Sequence, residues 1–148
     1  YLPDFKYFDT ALSAKYSHAP DYPAVAKAVI AEMVRQTGAA VFENGEDSLM
    51  KRGTIVRHLI LPGGTKDSKA VLKYLHETYE NQIYISIMHQ FTPLSNVKKY
   101  PELNRKITDR EYDEVIDFAI DIGIENGFIQ EGETAEESFI PEFDNEGV

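Results

Sequence analysis

The sequence contains no cysteine, few basic residues and no long apolar run. The absence of cysteine excludes disulfides, thiolate metal sites and cysteine nucleophiles within residues 1–148. With 15 Lys and Arg against 25 Asp and Glu, the formal net charge is -10, which opposes non-specific binding to phosphate backbones and anionic lipid. No stretch reaches the roughly 18 to 20 apolar residues that span a bilayer. We therefore expect a cytoplasmic protein with neither nucleic acid nor a membrane as partner.

The composition is that of one globular domain. With 148 residues, of which 43% are hydrophobic, the chain can bury an ordinary core. The segment from about residue 131 onward differs from the rest, because it holds seven acidic residues and no Lys or Arg. We predict a single domain over residues 1–148, with an acidic tail that is either a solvated arm or a wrapping segment.

Helical periodicity is clear in three segments, where apolar residues recur on one helical face: 21–38, 67–79 and 108–123. Gly38 has the position of a helix C-terminal residue, and Thr108 and Glu111 have the T-x-x-E spacing of a capping box. A short helical turn is also predicted after Asp9, whose side chain suits an N-cap.

Strands are predicted where β-branched, aromatic and leucine residues cluster between turn signals: 1–8, 54–61, 83–88 and 127–130. Between the first helix and the second strand, Asn44-Gly45 favours a small hairpin. Strands that alternate with helices imply parallel βα units, in a (β/α) barrel or a doubly wound sheet. Barrel closure of the usual kind takes about eight strands. Because the chain begins inside a strand, we expect it to be the back portion of a larger barrel.

Charged residues within the apolar strands are candidates for a binding site, because parallel βα folds place their sites at the carboxyl ends of strands. Asp4 and Lys6 are two residues apart, so strand alternation directs both to one face. An ion pair at a sheet edge is the alternative explanation for them. Arg57 lies in an apolar strand, where its permanent charge requires a carboxylate or a ligand.

Three more polar residues belong to the second and third strands. His58 follows Arg57 and therefore points to the opposite face, where the ordinary role is that of a satisfied, half-buried histidine. His89 and Gln90 end the third strand. The long loop 91–107 beyond them suits a lid or a substrate channel. It contains Lys98, Lys99 and Arg105 beside the aromatic residues Phe91 and Tyr100.

The order of three motifs resembles a known family. D-F-K on one strand is followed by I-V-R-H-L-I-L-P-G and then by Y-I-S-I-M-H-Q-F-T-P. This order is similar to the later portion of radical S-adenosylmethionine proteins of the pyruvate formate-lyase activating enzyme type. The phrases MKRGTIVRHLILPG, YPELNRKIT and NGFIQEG resemble an uncharacterised branch related to that activase, over nearly the whole chain.

The resemblance implies a fold and an activity. It implies an incomplete (β/α)6 barrel of the TIM type, in which a C-x-x-x-C-x-x-C loop holds a [4Fe-4S] cluster and S-adenosylmethionine binds the open iron. The implied reaction forms a 5′-deoxyadenosyl radical, which takes hydrogen from a glycine of a glycyl radical enzyme or from another protein or peptide substrate. Because residues 1–148 lack cysteine, the cluster loop is expected upstream of Tyr1, and the segment alone would be inactive.

The resemblance also assigns cofactor-binding residues. Asp4 and Lys6 match the D-x-K positions that line the cofactor pocket, where Lys6 would donate hydrogen bonds and Asp4 would orient the cofactor or hold a cation. Arg57 matches the arginine of the strand that ends in P-G, where its charge suits a carboxylate. His89 or Gln90 would take the place of the pocket histidine, and the sequence leaves both open. No catalytic residue and no metal ligand is assigned within residues 1–148.

Two other functions compete with this interpretation. Asp4, His58 and His89 at strand ends could bind a divalent metal in a barrel lyase or isomerase, provided that His58 faces the barrel interior. Alternatively, the chain is a non-catalytic acidic α/β module that docks on a partner through its tail, ESFIPEFDNEGV. We also expect self-association, because missing strands would expose the edge at 1–8 and apolar helix faces.

Overall fold

The computed structural model describes residues 1–43, 49–93, 97 and 99–129. Its helices are α1 (Thr10–Ser17), α2 (Tyr22–Thr37), α3 (Thr65–Tyr79) and α4 (Asp109–Asp121). Its strands are β1 (Val41–Phe42), β2 (Met50–Arg52), β3 (Ile55–Leu59), β4 (Tyr84–Met88) and β5 (Gly127–Ile129). The order of these elements confirms the predicted mixed α/β class, with helices between parallel strands.

Strands β3, β4 and β5 form a parallel sheet in that order. Arg57 on β3 lies opposite Ser86 on β4, which lies opposite Phe128 on β5. The pairing is parallel because a helix connects each strand to the next and returns the chain to the same end of the sheet.

The chain before α1 extends the sheet along the outer edge of β3. Arg57 N donates to Pro3 O, and Phe5 N donates to Arg57 O, each at 2.9 Å. Only the Asp4–Arg57 bridge is regular, so the predicted strand 1–8 is a partly formed one. Pro3 explains part of this, because it has no N–H to donate to β3. On the outer edge of the segment, the Tyr22 hydroxyl accepts from Lys6 N and donates to Asp4 O. The edge of segment 1–8, which we expected to be exposed, therefore has some of its backbone groups hydrogen-bonded.

Helices α2, α3 and α4 cover one face of the sheet. Val56, His58, Ile85 and Ile87 are buried there, at alternate positions of β3 and β4. The helical side chains that pack in the same core are Ala26, Ile30, Val34, Val71, Leu72, Leu75, Val115 and Ala119. Burial of this continuous apolar layer is the main stabilising term of the fold.

Among the described residues, the opposite face of the sheet is only partly covered, with α1 near its carboxyl end. Arg57 and Phe128 are exposed on it, and Ser86 is half-buried. The antiparallel β1–β2 pair covers one end, where the rings of Phe42 and Phe128 pack on Tyr84 at centroid distances of 5.2 and 5.4 Å. Parallel sheets are almost always covered on both faces or closed into barrels. We call this surface the open face.

The helix ends follow the sequence signals closely. The Asp9 side chain accepts from Ala11 N at the start of α1, and Thr108 with Glu111 forms the predicted capping box of α4. Gly38 ends α2 at φ 64°, a left-handed conformation that costs glycine little. Helix α3 begins at Thr65, two residues before the predicted start.

The described residues form a three-stranded parallel sheet, and no barrel is shown among them. None of the helices built from these residues combines the length and the apolar composition that crossing a membrane requires. The predicted turn at Asn44-Gly45, Lys98 in the long loop, and the acidic tail lie outside the described residues.

Candidate functional site

The open face brings Asp4, Lys6 and Arg57 together. Arg57 Nε donates to Asp4 Oδ1 at 2.7 Å, and Lys6 Nζ lies 3.6 Å from Asp4 Oδ2. Parallel pairing of Asp4 with Arg57 causes this contact, because paired residues project their side chains to the same face. The Asp4 side chain is 30% exposed, and those of Lys6 and Arg57 are each 44% exposed. The three charges are therefore accessible to a ligand.

The position of this cluster corrects one expectation. Arg57 is the central residue of β3 and not its last, and Asp4 is level with it. Asp4 and Arg57 therefore lie in the middle of the open face, whereas Lys6 lies near the carboxyl end of β3, beside the loop that follows it. The reason is that β3 continues through Leu59, so two further residues separate Arg57 from the end of the strand, before the loop Pro62-Gly63-Gly64.

A row of four side chains crosses the open face from strand to strand. Asp4 pairs with Arg57, Arg57 with Ser86, and Ser86 with Phe128. The row presents a carboxylate, a guanidinium, a hydroxyl and an aromatic ring in sequence. Sequence reasoning missed Ser86 and Phe128. The polar Ser86 inside IYISIM was a weak signal, but only the strand register shows which residues lie beside it.

His58 faces the helices and is almost completely buried, with 1% of its surface exposed. Its Nδ1 lies 2.8 Å from Phe5 O, while Nε2 has no hydrogen-bond partner in the described part of the chain. Burial lowers the pKa of His58 to about 4, so the imidazole is neutral at pH 7. His58 is therefore almost completely buried and makes one hydrogen bond. The sequence had instead suggested a half-buried histidine whose two ring nitrogens both have hydrogen-bond partners.

The proposed divalent-metal site is not assembled. Asp4 lies on the open face and His58 on the helical face, so one ion cannot bind both. Within residues 1–43, 49–93, 97 and 99–129, no group of three or more His, Asp or Glu side chains is arranged to hold a metal. The condition that His58 face the interior of a barrel is not met.

His89 and Gln90 separate after β4. The His89 ring packs edge-on against Tyr112 of α4 with 4.8 Å between centroids, and its Nε2 lies 3.9 Å from Asp109 Oδ1. Gln90 Nε2 donates a weak hydrogen bond to Met88 Sδ at 3.8 Å. His89 therefore lies against the start of α4, while Gln90 stays beside the end of β4.

A cleft at the carboxyl edge of the sheet is a second concave feature, which we call the tyrosine cleft. It has a volume of about 300 Å³, and its walls include Tyr7, Tyr16, Leu61, Phe91, Lys99 and Tyr100. Two contacts hold its sides together: Tyr100 Oη donates to Lys15 O, and Tyr16 Oη donates to Glu102. The hydrogen bond from Lys15 lowers the pKa of Glu102 to about 2. The sequence did not predict α1 as a wall.

Asp67 fixes the end of the extended segment 1–7. Its carboxylate accepts hydrogen bonds from Phe8 N at 3.0 Å and Asp9 N at 2.8 Å. Burial raises the pKa of Asp67, an effect that these two hydrogen bonds oppose. This contact joins the start of α3 to the chain just beyond Lys6 and so helps to fix the Asp4–Lys6 segment on the sheet.

Fold and site together define a mixed α/β protein with a charged, partly uncovered parallel sheet. Comparisons of the chain with protein-family models, with curated proteins and with solved structures give no match.

Proposed function

We propose that the chain is the cofactor-binding part of a radical S-adenosylmethionine enzyme of the pyruvate formate-lyase activating type. The observation that carries the proposal is the Asp4–Lys6–Arg57 cluster on the open face of a parallel sheet. The open face would form the interior of the incomplete (β/α)6 barrel, completed by strands outside residues 1–148. The proposal includes the cytoplasmic location that the sequence predicts.

The charges of the cluster suit the amino-acid part of S-adenosylmethionine. A guanidinium binds a carboxylate in a fixed planar geometry, and an aspartate accepts hydrogen bonds from an ammonium group. Arg57 donates only Nε to Asp4 among the described contacts, so its terminal nitrogens are available for a ligand carboxylate. Lys6 adds a third donor at the same place. The site binds and orients the cofactor, and we assign no proton transfer to its residues.

The iron–sulfur cluster does not belong to these residues. Cluster ligands of this type are cysteine thiolates, and the sequence has none. The proposal therefore assigns the [4Fe-4S] cluster to a part of the protein that precedes residue 1. Bound there, S-adenosylmethionine would supply the radical chemistry of hydrogen abstraction. The partner would be a glycyl radical enzyme or another protein or peptide substrate.

The complete gene product offers a direct test. We expect its sequence to contain a C-x-x-x-C-x-x-C loop before residue 1, and the purified protein to show the absorption of a [4Fe-4S] cluster. After reduction it should release 5′-deoxyadenosine from S-adenosylmethionine. A gene product without these cysteines, or a clustered protein that leaves the cofactor intact, contradicts the proposal.

Substitutions in the cluster test the site itself. In the complete gene product, Arg57→Gln and Asp4→Asn should each weaken S-adenosylmethionine binding about tenfold or more in calorimetric titrations, which corresponds to about 1.4 kcal/mol. Arg35→Gln is a matched control, because it removes an exposed arginine that pairs with Glu32 on α2. Equal affinities for all three variants would refute the assignment. Circular dichroism of each variant should match the wild type, since exposed ion pairs stabilise little.

A further inference from the structure

The tyrosine cleft has chemistry that the Asp4–Arg57 cluster does not use. Three tyrosines and Phe91 contribute aromatic rings to its walls, and Tyr7 Oη and Ser17 Oγ form a hydrogen bond of 3.0 Å within it. The rings of Tyr16 and Tyr100 meet edge to face at 5.1 Å. Such a surface favours a ligand with aromatic or branched apolar groups, which gain from ring contacts beyond the area that they bury.

The borders of the cleft carry positive or protonatable groups. Lys99 Nζ lies 5.1 Å from the centre of the Tyr100 ring, and the exposed His18 borders the opening on the α1 side. Lys15 is next to Tyr16 and lies 5.0 Å from the centre of that ring. Glu102 is the acidic residue that pairs with Lys15. The ligand that fits this surface is therefore a peptide with aromatic side chains flanked by carboxylates.

The chain itself contains a peptide of that composition. Residues 138–143 read SFIPEF, with Phe139, Ile140 and Phe143 as apolar groups. Acidic residues flank and interrupt them: Glu136, Glu137, Glu142 and Asp144. The acids complement Lys99, and the phenylalanines complement the tyrosine rings.

The geometry allows this peptide to reach the cleft of its own chain. Because β5 is parallel to β3 and β4, its end at Ile129 lies at the same edge of the sheet as Leu61 and Phe91, which line the cleft. The segment 1–7, which leads to the cleft, lies three strand spacings from β5, a distance of about 14 Å. The ten residues 130–139 span up to about 33 Å when extended. The connection is therefore long enough by a wide margin.

We propose that residues 138–143 bind in the tyrosine cleft of the same chain, with Phe139 and Phe143 among the aromatic rings. A tether of this length gives an effective concentration on the order of mM, so binding within one chain is favoured over binding to a second copy. The proposal does not depend on the cofactor assigned above.

A single tryptophan tests this placement, because the natural sequence contains none. Phe139→Trp puts the indole at the proposed anchor, and Thr134→Trp puts it in the same tail outside the anchor. We expect the Phe139→Trp variant to emit at shorter wavelength than the Thr134→Trp variant and to be less quenched by iodide. Identical spectra for the two variants would overturn the proposal.

Second substitutions identify the cleft. We expect either Tyr100→Ala or Lys99→Glu, introduced into the Phe139→Trp protein, to shift its emission wavelength to that of the Thr134→Trp protein. Lys99→Glu leaves the aromatic wall intact, so its effect cannot arise from collapse of the cleft. Arg110→Glu, an equal charge reversal on the exposed surface of α4, should have no effect. If neither cleft substitution changes the emission of the Phe139→Trp protein, the peptide does not bind in the cleft. If the emission moves to longer wavelength on dilution, binding occurs between chains and not within one.

Discussion

At the scale of single residues, the Asp4–Arg57 contact is informative because it stabilises so little. Ion pairs of this exposure contribute about 0 to 1 kcal/mol, since water competes for both charges and two side chains lose freedom. The stability of the fold therefore does not explain why an arginine occupies the centre of β3 among apolar residues. A ligand on the open face would explain it, because it would use the terminal nitrogens that Asp4 leaves available.

His58 predicts a pH dependence of stability. Burial lowers its pKa to about 4 in the folded state, whereas a histidine in the unfolded chain titrates near 6.5. Below about pH 6.5 the unfolded state binds a proton that the folded state excludes, so stability falls with decreasing pH until about pH 4. The gap between the two values corresponds to about 3 kcal/mol of unfolding free energy. Urea unfolding between pH 7.5 and 4 measures the loss.

The variant His58→Gln isolates this contribution, because an amide can still donate to Phe5 O but does not titrate in this range. We expect it to lose less stability than the wild type between pH 6.5 and 5, where carboxylates contribute little. His76→Gln, the same change at a half-exposed position of α3, should retain the wild-type pH dependence. A steep loss that persists in His58→Gln would show that another group causes it.

At the scale of elements, the helices were predictable and the first strand was only partly so. Helix ends depend on residues two to four positions apart, so Asp9, Gly38 and Thr108 could be assigned from local signals. The segment 1–8 has strand composition, but its ladder with β3 is interrupted at Pro3, which has no N–H to donate. Only tertiary contacts could reveal that the Tyr22 hydroxyl bonds to Lys6 N and Asp4 O on the outer edge of this segment.

The capping box of α4 predicts a measurable loss on substitution. Thr108 Oγ1 accepts from Glu111 N at 3.2 Å, and Glu111 Oε2 accepts from Thr108 N at 2.9 Å. Thr108→Ala should lower the unfolding free energy by about 1 kcal/mol, because it leaves helix N–H groups without a partner. Denaturant unfolding measures the change, and Asp113→Ala on the exposed face of α4 is the control.

Glu111→Ala should cost more than Thr108→Ala. The Glu111 carboxylate also accepts from Gly63 N and from both terminal nitrogens of Arg105, each at 2.7 Å. It thereby connects the loop after β3 to α4, and the Arg105 hydrogen bonds hold the pKa of Glu111 well below its usual range. Equal losses for Thr108→Ala and Asp113→Ala would show that the box contributes nothing beyond helix propensity.

At the scale of the whole molecule, α2, α3 and α4 cover one face of a parallel sheet, and in the described part of the chain much of the other face is exposed. A second uncovered surface lies on α2, where Tyr1, Val25, Val29 and Met33 line a mostly apolar groove of about 420 Å³. Val25 and Val29 are 50% and 42% exposed. Apolar surfaces of this kind favour association, so self-association stays our prediction, with the groove on α2 as its place.

Charged substitutions in the groove test the prediction. Val25→Lys and Val29→Lys should each shift the sedimentation equilibrium toward monomer, because association would bury the new charge. Ala31→Lys introduces the same charge at an exposed position on another side of α2 and should leave association unchanged. A wild-type protein that stays monomeric at high concentration contradicts the prediction.

The sequence by itself determined the class of the fold and the identity of most elements, because periodicity and capping act between residues close in the chain. It also determined that no cysteine-bound cluster belongs to residues 1–148. Tertiary structure alone decided that Asp4 meets Arg57 across 53 positions, that Ser86 and Phe128 continue their row, and that His58 is buried. The physical reason is that strand register and face covering depend on hydrogen bonds and packing between distant segments, which local patterns do not encode.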